Sequence, residues 1–395
     1  MKHRYRFFAA AVMAVGLVAA ACGDDKGDVT GTTDAPGTTV PVDTTPEGAV
    51  SILAWPGYAE DGSNYPEYDW VTKFETDTGC DTSVKYFMTS DEALQLFATG
   101  DYDVASFSGD GSMRAVVSGD AAEIDTARVT SYGDIAEFLK GATQNSLDGK
   151  IYGVPHGWGA NVLQYNSDEV VPAPTSWSAV WETDSPYAGK IAAYDSPIYI
   201  ADAALYLMAT QPDLGITDPY ALDEAQFTAA VDLLKAQKDL LAEYWSDYVA
   251  YEENYRTGST VIGTSWQIIV NTLQGESPAV PVASVLPEEG ATAWSDNWMV
   301  HSAAKNPNCA YAWINWITGA EGNAQVAGYF GEAPANLAAC ASMGDHCEIY
   351  HADDEAYYNE LHYWATPTAK CLDGREDVEC KDYAAWVAAW DEIKG

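Results

Sequence analysis

The sequence predicts an α/β protein organised in two lobes. From about residue 49 onward, short apolar segments typical of buried strands alternate with segments whose apolar residues recur at helical spacing. This alternation is characteristic of α/β domains. Roughly 345 residues follow that point, which is enough for two lobes of ordinary domain size.

The predicted elements are recognised by their periodicity and by their capping residues. Ser90 begins and Gly100 ends a helical pattern in "SDEALQLFATG". Phe227, Val231 and Leu234 share one face of a second predicted helix, "LDEAQFTAAVDLLKAQKDLL". Buried strands are predicted for "AVSILAW", "YDVASF" and "GSTVIGTSW".

Aromatic and acidic side chains follow four of the predicted strands. Ligands of open α/β sheets bind beyond the carboxyl ends of the strands. The segments at these positions are "AWPGYAED", "SFSGDGS", "TSW" and "AWSDNW". A single Trp is more often part of the core, because aromatic rings bury well anywhere. Their recurrence at strand ends favours a binding site.

The segment "WSDNW" places the carboxylate of Asp296 between Trp294 and Trp298. A buried carboxylate is costly unless something pairs with it. Its partner is then either a cation that arrives from outside or a protein cation such as Lys305. A third alternative is that Asp296 caps a local turn.

The chain is strongly acidic, with 59 acidic and 19 basic residues and a formal net charge of −40. Such a field excludes nucleic acid and anionic membrane surfaces as partners and attracts cations. The alternative is that the charge only keeps an exported protein soluble. The charge by itself therefore selects no ligand.

The N-terminus has the pattern of an export signal, assigned to residues 1–21. Basic residues precede an apolar stretch that is too short to span a membrane. "LVAAACGDD" resembles the lipobox of bacterial lipoproteins, which implies lipidation of Cys22, although Ala19 stands where these boxes usually have Leu. The alternative is ordinary secretion with Cys22 incidental. Residues 22–48 are predicted to form the anchor and a disordered tether.

Six cysteines remain after Cys22, and an even number in an exported chain indicates disulfides. Short loops favour Cys340 with Cys347 and Cys371 with Cys380, which leaves Cys80 with Cys309. A zinc site that includes His346 and His351 is an alternative, but its spacing matches no common ligand pattern. We therefore expect three disulfides, no metal site and no cofactor.

Nearly the whole folded region, from about residue 51 to residue 339, resembles the spermidine/putrescine-binding proteins of polyamine ABC importers. The segments that carry the resemblance occur in the family's order: "ILAWPGYAEDG", "FETDTGCDTSVKY", "GDYDVASFSGD", "GKIYGVPHGWGANVLQYNSD", "PTSWSAVWETDSPYAGKIAAYDSP", "TSW", "PEEGATAWSDNWMVHSAAKNPNCAYAWINWI" and "GEAPANLAA".

The resemblance implies a type II periplasmic-binding-protein fold, in which two α/β lobes close by a hinge over a ligand cleft. The first lobe is expected to comprise residues 49–157 and 295–342, and the second lobe residues 158–294 and 343–395. In that family the methylene chain of a polyamine lies among Trp and Tyr rings, and carboxylates hold its ammonium groups.

The resemblance assigns ligand-binding roles to six residues. The residues that match the family's motifs are Trp55, Tyr58, Ser108, Trp266, Trp294 and Asp296. Of these, Asp296 matches the carboxylate that holds an amine.

The chain departs from the family where the second ammonium is usually held. Ser196 and Tyr199 stand where many relatives have an acidic pair, and Ile269 stands where some have Asp. Asp110 and Asp195 follow predicted strands and are candidates to replace these carboxylates. Asp110 is equally compatible with a plain turn.

The sequence predicts a non-enzymatic binding protein for putrescine or a longer polyamine. Alternatives are another small amine, a quaternary ammonium compound or an amino acid, which would also require an Arg. An exported hydrolase is a remote alternative, because no "GxSxG" elbow occurs and His156 has no evident nucleophile beside it. The expected partners are the permease subunits of an ABC importer, with membrane attachment only through the lipid anchor and a monomeric chain.

Overall fold

The computed structural model describes residues 44–63 and 65–395. Its strands are β1 Ala49–Ala54, β2 Asp81–Tyr86, β3 Val104–Phe107, β4 Ser146–Leu147, β5 Lys150–Ile151, β6 Val154–Ala160, β7 Val162–Asn166, β8 Ile191–Tyr194, β9 Leu241–Trp245, β10 Ile262–Ser265, β11 Val282–Val285, β12 Thr292–Val300, β13 Ala333–Pro334 and β14 His362–Tyr363.

Helices follow most of these strands, as the alternating pattern predicts. They are α1 Val71–Thr78, α2 Ser90–Phe97, α3 Gly109–Ser118, α4 Ser178–Trp181, α5 Ile200–Thr210, α6 Glu224–Lys238, α7 Tyr248–Thr257, α8 Gln267–Gly275, α9 Pro307–Ile317, α10 Ala320–Phe330, α11 His346–Ile349, α12 Glu355–Tyr358 and α13 Tyr383–Lys394.

Two sheets organise these elements. The first has the strand order β13-β6-β12-β3-β1-β2, with β14 beside β12, and the second has the order β11-β7-β10-β8-β9. β1 is parallel to both neighbours, whereas β12 runs antiparallel to β3 and β6. β3 lies between β12 and β1 in the interior of the first sheet, and its four residues are all buried. The predicted α/β fold class is confirmed.

Two of the places at which the chain crosses between the sheets are adjacent. One crossing runs from β6 to β7 through Asn161, and the other runs from β11 to β12. The Asn161 amide N–H donates to the Thr292 carbonyl at 2.9 Å, and its side-chain Nδ2 donates to Thr292 Oγ1 at 2.7 Å. The two crossing segments are therefore held together where a hinge between the lobes is expected.

The predicted helices form, but α2 ends at Phe97 with Ala98 as its C-cap, before the predicted end at Gly100, and its N-cap also differs. Phe227, Val231 and Leu234 are buried on α6, as their spacing predicts. The N-cap of α2 is Thr89 rather than Ser90, because the Thr89 side chain accepts a hydrogen bond from the Glu92 amide. The prediction of Ser90 as the cap is wrong by one residue.

Residues 343–395, which the sequence prediction assigns to the second lobe, contact both sheets. β14 pairs with β12 of the first sheet. Further along the chain, Glu392 of α13 forms an ion pair with Lys235 of α6 at 2.6 Å. The C-terminal segment thus passes from the first sheet to the helices that cover the second.

Three disulfides join the cysteine pairs that the sequence predicts: Cys80–Cys309, Cys340–Cys347 and Cys371–Cys380. The pairing of Cys340 with Cys347 removes the zinc alternative. Across the described residues, no group of His, Cys, Asp and Glu side chains is arranged to hold a metal ion.

The folded region begins slightly earlier than predicted. The carboxylate of Glu47, assigned to the tether, accepts hydrogen bonds from the Asn308 and Cys309 amides at the start of α9. The signal peptide and Cys22 lie outside the described residues. Within the part of the chain that the structure describes, no helix is long and apolar enough to cross a membrane.

Candidate functional site

A cavity of about 220 Å³ opens between residues that follow strands of both sheets. Side chains after β1 and β3, and on β12, form one wall, while α7 and the start of α8 form the other. The lining residues are Trp55, Pro56, Gly57, Tyr65, Met88, Ser108, Tyr248, Val249, Glu252, Arg256, Trp266, Ile268, Ile269, Thr272, Trp294, Asp296, Tyr329, Phe330 and Trp364.

Aromatic rings from both lobes meet at this cavity. The ring centroid of Trp55, after β1, lies 6.0 Å from that of Trp266, after β10, in an edge-on arrangement. Trp294 lies edge-on to Phe330 with centroids 5.4 Å apart. Such rings shed water against methylene groups and attract cations to their faces. The walls therefore suit an apolar chain that carries positive charge.

Asp296 brings a carboxylate into this aromatic cavity from the middle of β12. The residue is 3% exposed, and its Oδ1 accepts a hydrogen bond from Ser108 Oγ at 2.5 Å. Its Oδ2 accepts from the Tyr58 hydroxyl at 2.8 Å. Lys305, the predicted alternative partner, contacts Asp101 instead. No ion pair to Asp296 forms among residues 44–63 and 65–395, so its charge lacks a protein cation.

A second buried carboxyl group lies behind Asp296. Glu332 Oε2 is 3.0 Å from the same Tyr58 hydroxyl, and Glu332 packs against Gly157, where a Cβ atom would clash with the carboxyl group. A hydroxyl has one hydrogen and cannot donate to both carboxylates. One of the two contacts therefore requires a proton on a carboxyl group.

Glu332 is the group that holds this proton. Burial, and then the charge of Asp296, raise the pKa of Glu332 well above its usual range. Protonated Glu332 donates to the Tyr58 oxygen, and Tyr58 donates in turn to Asp296. His156, whose Nε2 is 3.4 Å from Glu332 Oε1, stays neutral because burial lowers its pKa to about 3. The relay orients Tyr58 toward an ionised Asp296.

Burial also raises the pKa of Asp296, to about 7, with a smaller contribution from the charge of Asp110. The hydrogen bonds from Ser108 and Tyr58 oppose this rise. At neutral pH the carboxyl group is therefore close to half ionised in the empty cavity. A cation that enters the cavity favours the ionised form.

Helix α7 supplies the other charged side chains of the lining. Glu252 and Arg256 form an ion pair at 2.8 Å, with side chains that are 7% and 29% exposed, respectively. Arg256 also contacts Glu276 at 2.6 Å. This face of the cavity lining therefore carries one cation, Arg256, and one carboxylate, Glu252.

Five of the predicted ligand residues line the cavity: Trp55, Ser108, Trp266, Trp294 and Asp296. Tyr58 lies behind them. It is completely buried, and its ring packs against His156 and Phe330 at centroid distances of 4.4 Å and 4.8 Å. Its position supports Asp296 rather than a ligand directly.

Besides Tyr58, two further predicted ligand residues lie outside the cavity lining in the described structure, which corrects their assignment. Asp110 is buried at the start of α3, where it accepts a hydrogen bond from Ser90 Oγ at 2.9 Å. Asp195 contacts Lys394 Nζ at 2.6 Å and accepts from Trp390 Nε1 at 3.1 Å. Both residues follow strands as predicted, but other side chains of the protein already bind their carboxylates.

Sequence reasoning missed three titratable residues of the site: Glu252 and Arg256 line the cavity, and Glu332 lies behind Asp296. The one signal for the α7 residues is the spacing of Tyr248, Glu252 and Arg256 at four-residue intervals, which places them on one helical face. Glu332 lies in the segment "GEAPAN", where only its charge among apolar neighbours sets it apart.

Comparison with known proteins identifies a family. Residues 69–346 match the family model described as bacterial extracellular solute-binding protein. The chain is 24% identical over 350 residues to the putrescine/cadaverine-binding protein of Pseudomonas aeruginosa, covering 85% of this chain and 93% of the relative. It is 24% identical over 305 residues to the spermidine/putrescine-binding periplasmic protein of Escherichia coli, covering 74% of this chain and 83% of the relative.

The fold also resembles solved structures. A putative spermidine/putrescine ABC transporter protein from Listeria monocytogenes superposes with a TM-score of 0.70 at 18% identity, over 88% of this chain and 99% of that chain. A substrate-binding protein of a spermidine/putrescine ABC transporter from Streptococcus pneumoniae gives a TM-score of 0.66 at 19% identity, over 88% and 98% of the two chains. These similarities confirm the two-lobe binding-protein fold.

Proposed function

The chain belongs to the bacterial extracellular solute-binding protein family, and from this premise we propose that it captures a polyamine for an ABC importer. The ligand is putrescine or a spermidine-like cation, held in the cavity between the lobes. The names of the relatives from Pseudomonas aeruginosa and Escherichia coli support this ligand class.

One observation carries the proposal. Asp296 is a buried carboxylate that accepts two hydrogen bonds and has no ion-pair partner within the described residues. It faces a cavity lined by Trp55, Trp266 and Trp294. A buried charge without a partner is unfavourable. A ligand ammonium supplies the missing partner, and the rings receive the methylene chain next to it.

The proposal extends to how the protein is presented to the importer. We propose that a lipid on Cys22 anchors the chain to the outer face of the cell membrane, which the sequence pattern "LVAAACGDD" supports. We further propose that the chain acts as a monomer without catalytic turnover. The named relatives are binding proteins, and His156, the one catalytic candidate, is completely buried.

Putrescine or spermidine is expected to raise the melting temperature of the protein. A ligand that binds only the folded state at a hundredfold excess over Kd stabilises it by about 2.7 kcal/mol. A thermal-shift screen with putrescine, cadaverine, spermidine, betaine and choline measures this effect. Stabilisation by betaine or choline but by no diamine would contradict the proposed ligand class, and stabilisation by none of them would contradict the site.

Replacing Trp266 by Leu is expected to weaken putrescine binding by about 2- to 30-fold, because a cation–π contact contributes about 0.5 to 2 kcal/mol. Leu retains apolar surface but has no ring face. Calorimetry measures the change. The matched control is Trp316→Leu, since Trp316 is also partly buried, lies outside the cavity and donates to the Trp70 carbonyl. An equal loss of putrescine affinity in the two variants would show that the effect of Trp266→Leu does not come from the cavity.

A further inference from the structure

We propose that Glu252 is the carboxylate that receives the second ammonium group of the ligand, and that it makes the site selective for diamines over monoamines and amino acids. This inference rests on the proposed function and concerns the half of the ligand that Asp296 does not reach. Glu252 and Asp296 line the same cavity from opposite lobes.

The second lobe offers few charged groups to a ligand. Its other lining side chains near the start of α8 are uncharged: Trp266, Ile268, Ile269 and Thr272. Among the described residues of the lining, Glu252 and Asp296 are the two carboxylates and Arg256 is the one cation. A cation with charge at both ends therefore finds one carboxylate on each lobe.

The location of Glu252 suits the outer end of a ligand. Asp296 is 3% exposed on β12, whereas α7 also carries Val249, a lining residue that is 53% exposed. The side chain of Glu252, on the same helix, is 7% exposed. An ammonium group there is sheltered enough from water for a carboxylate to attract it strongly.

Arg256 does not neutralise this end of the cavity. Its guanidinium contacts three carboxylates: Glu252 at 2.8 Å, Glu276 at 2.6 Å and Glu253 at 3.5 Å. One positive charge among three negative charges leaves the cluster with an excess of negative charge when all three are ionised. In the described structure, Arg256 Nη2 donates a hydrogen bond to Oε2 of Glu252. The other carboxylate oxygen of Glu252, Oε1, accepts no hydrogen bond from the described residues.

The same contacts prevent Arg256 from acting as a receptor for a ligand carboxylate. Its Nε donates to Glu276, Nη2 donates to Glu252 and Glu276, and Nη1 faces Glu253. A carboxylate that entered the cavity would displace one of these partners and would face the remaining negative charge. The expected order of affinity is therefore diamine, then monoamine, then ω-amino acid.

Three ligands of matched length test the inference: putrescine, n-butylamine and 4-aminobutyrate. Calorimetry on the wild type and on Glu252→Gln measures the ratio of putrescine affinity to butylamine affinity. We expect the substitution to reduce putrescine affinity by about 10- to 100-fold, the range for hydrogen bonds to charged groups. Butylamine affinity is expected to change less than about twofold, because butylamine carries no second ammonium.

Glu253→Gln is the matched control, because Glu253 is the next residue on α7, is 61% exposed and lies outside the cavity lining. It removes the same charge and is expected to leave the putrescine-to-butylamine ratio unchanged. Arg256→Gln frees Glu252 from its protein partner and is expected to retain or increase putrescine affinity.

The outcomes separate this inference from the proposed function. A wild type that binds putrescine, with the same putrescine-to-butylamine ratio in Glu252→Gln, would overturn the role of Glu252 alone. Stronger binding of 4-aminobutyrate than of butylamine by the wild type would overturn it as well, since Arg256 would then be the receptor. A wild type that binds neither amine would overturn the polyamine proposal and this inference together.

Discussion

Asp296→Asn is expected to weaken putrescine binding by about 30- to 5000-fold, equivalent to about 2 to 5 kcal/mol for the loss of one partner of a buried charge pair. Asn has nearly the same shape as Asp, and its amide can still exchange hydrogen bonds with the hydroxyls of Ser108 and Tyr58, which contact the native carboxylate at 2.5 Å and 2.8 Å. The substitution therefore removes the charge while the packing is retained.

Calorimetry with putrescine measures this loss, and Asp195→Asn is its matched control. Asp195 is bound by Lys394 and Trp390 outside the cavity, so the same substitution there is expected to leave affinity unchanged. Unchanged affinity in Asp296→Asn, or an equal loss in both variants, would contradict the assignment of Asp296 to the ligand ammonium.

The sequence predicts Asp296 and three of the four Trp residues that line the cavity, all but Trp364, because each signal is local. A carboxylate between Trp294 and Trp298 is unusual wherever the chain folds, and Trp55 and Trp266 directly follow strands. In an α/β fold, strand ends converge on one edge of the sheet. Residues that directly follow strands are therefore expected to meet in the site. The ring centroids of Trp55 and Trp266, which come from different lobes, lie 6.0 Å apart.

The sequence fails where tertiary partners decide the outcome. Asp195 also follows a strand, but Lys394, almost two hundred residues further along the chain, forms an ion pair with it. Tyr58 lies in the predicted segment, yet its hydroxyl points to Asp296 and Glu332 rather than to the cavity. Only the packing of Phe330 and His156 against its ring determines that direction.

Glu252 is a residue of the site that the sequence does not identify, again because tertiary structure decides its position. It lies within α7, which no strand-end rule singles out, and it belongs to the cavity lining together with Tyr248, Val249 and Arg256 of that helix. Its pairing with Arg256 has the spacing of an ordinary surface ion pair. From the sequence alone, this ion pair cannot be distinguished from the many exposed ion pairs on acidic helices.

Putrescine affinity is expected to fall as the pH drops below about 7, by up to tenfold per pH unit, and by about 50-fold between pH 7 and pH 5, because the carboxyl group is half ionised at pH 7. Burial raises the pKa of Asp296 to about 7 in the free protein, and the ligand binds the ionised form. Ligand binding therefore lowers this pKa. The ligand amines keep their protons across the range, because alkylammonium groups titrate near pH ~10.

Other groups near Asp296 change this dependence little. Burial raises the pKa of Glu332 well above its usual range, which favours its protonated form. Asp110, whose pKa burial raises to about 6, loses its repulsion of Asp296 when it becomes protonated and slightly moderates the fall. Calorimetry from pH 5 to pH 8 measures the slope. Asp296→Asn is expected to bind weakly with a much smaller slope, and an equal slope in the variant would assign the proton to another group.

The same proton affects the stability of the free protein in the opposite direction. Between the ordinary Asp pKa of 3.8 and about 7, folded Asp296 holds a proton that the unfolded chain releases. The free energy of unfolding therefore decreases as the pH rises through this window.

Asn has no such proton, so Asp296→Asn without ligand is expected to gain stability relative to the wild type as the pH rises, by at most about 4 kcal/mol. Denaturant unfolding at pH 5 and pH 8 measures that gain, and a difference between variant and wild type that stays constant with pH would contradict it. Because putrescine stabilises the ionised carboxylate, a saturating concentration is expected to abolish the variant's advantage at pH 8, which links the instability of the empty site to its affinity for a cation.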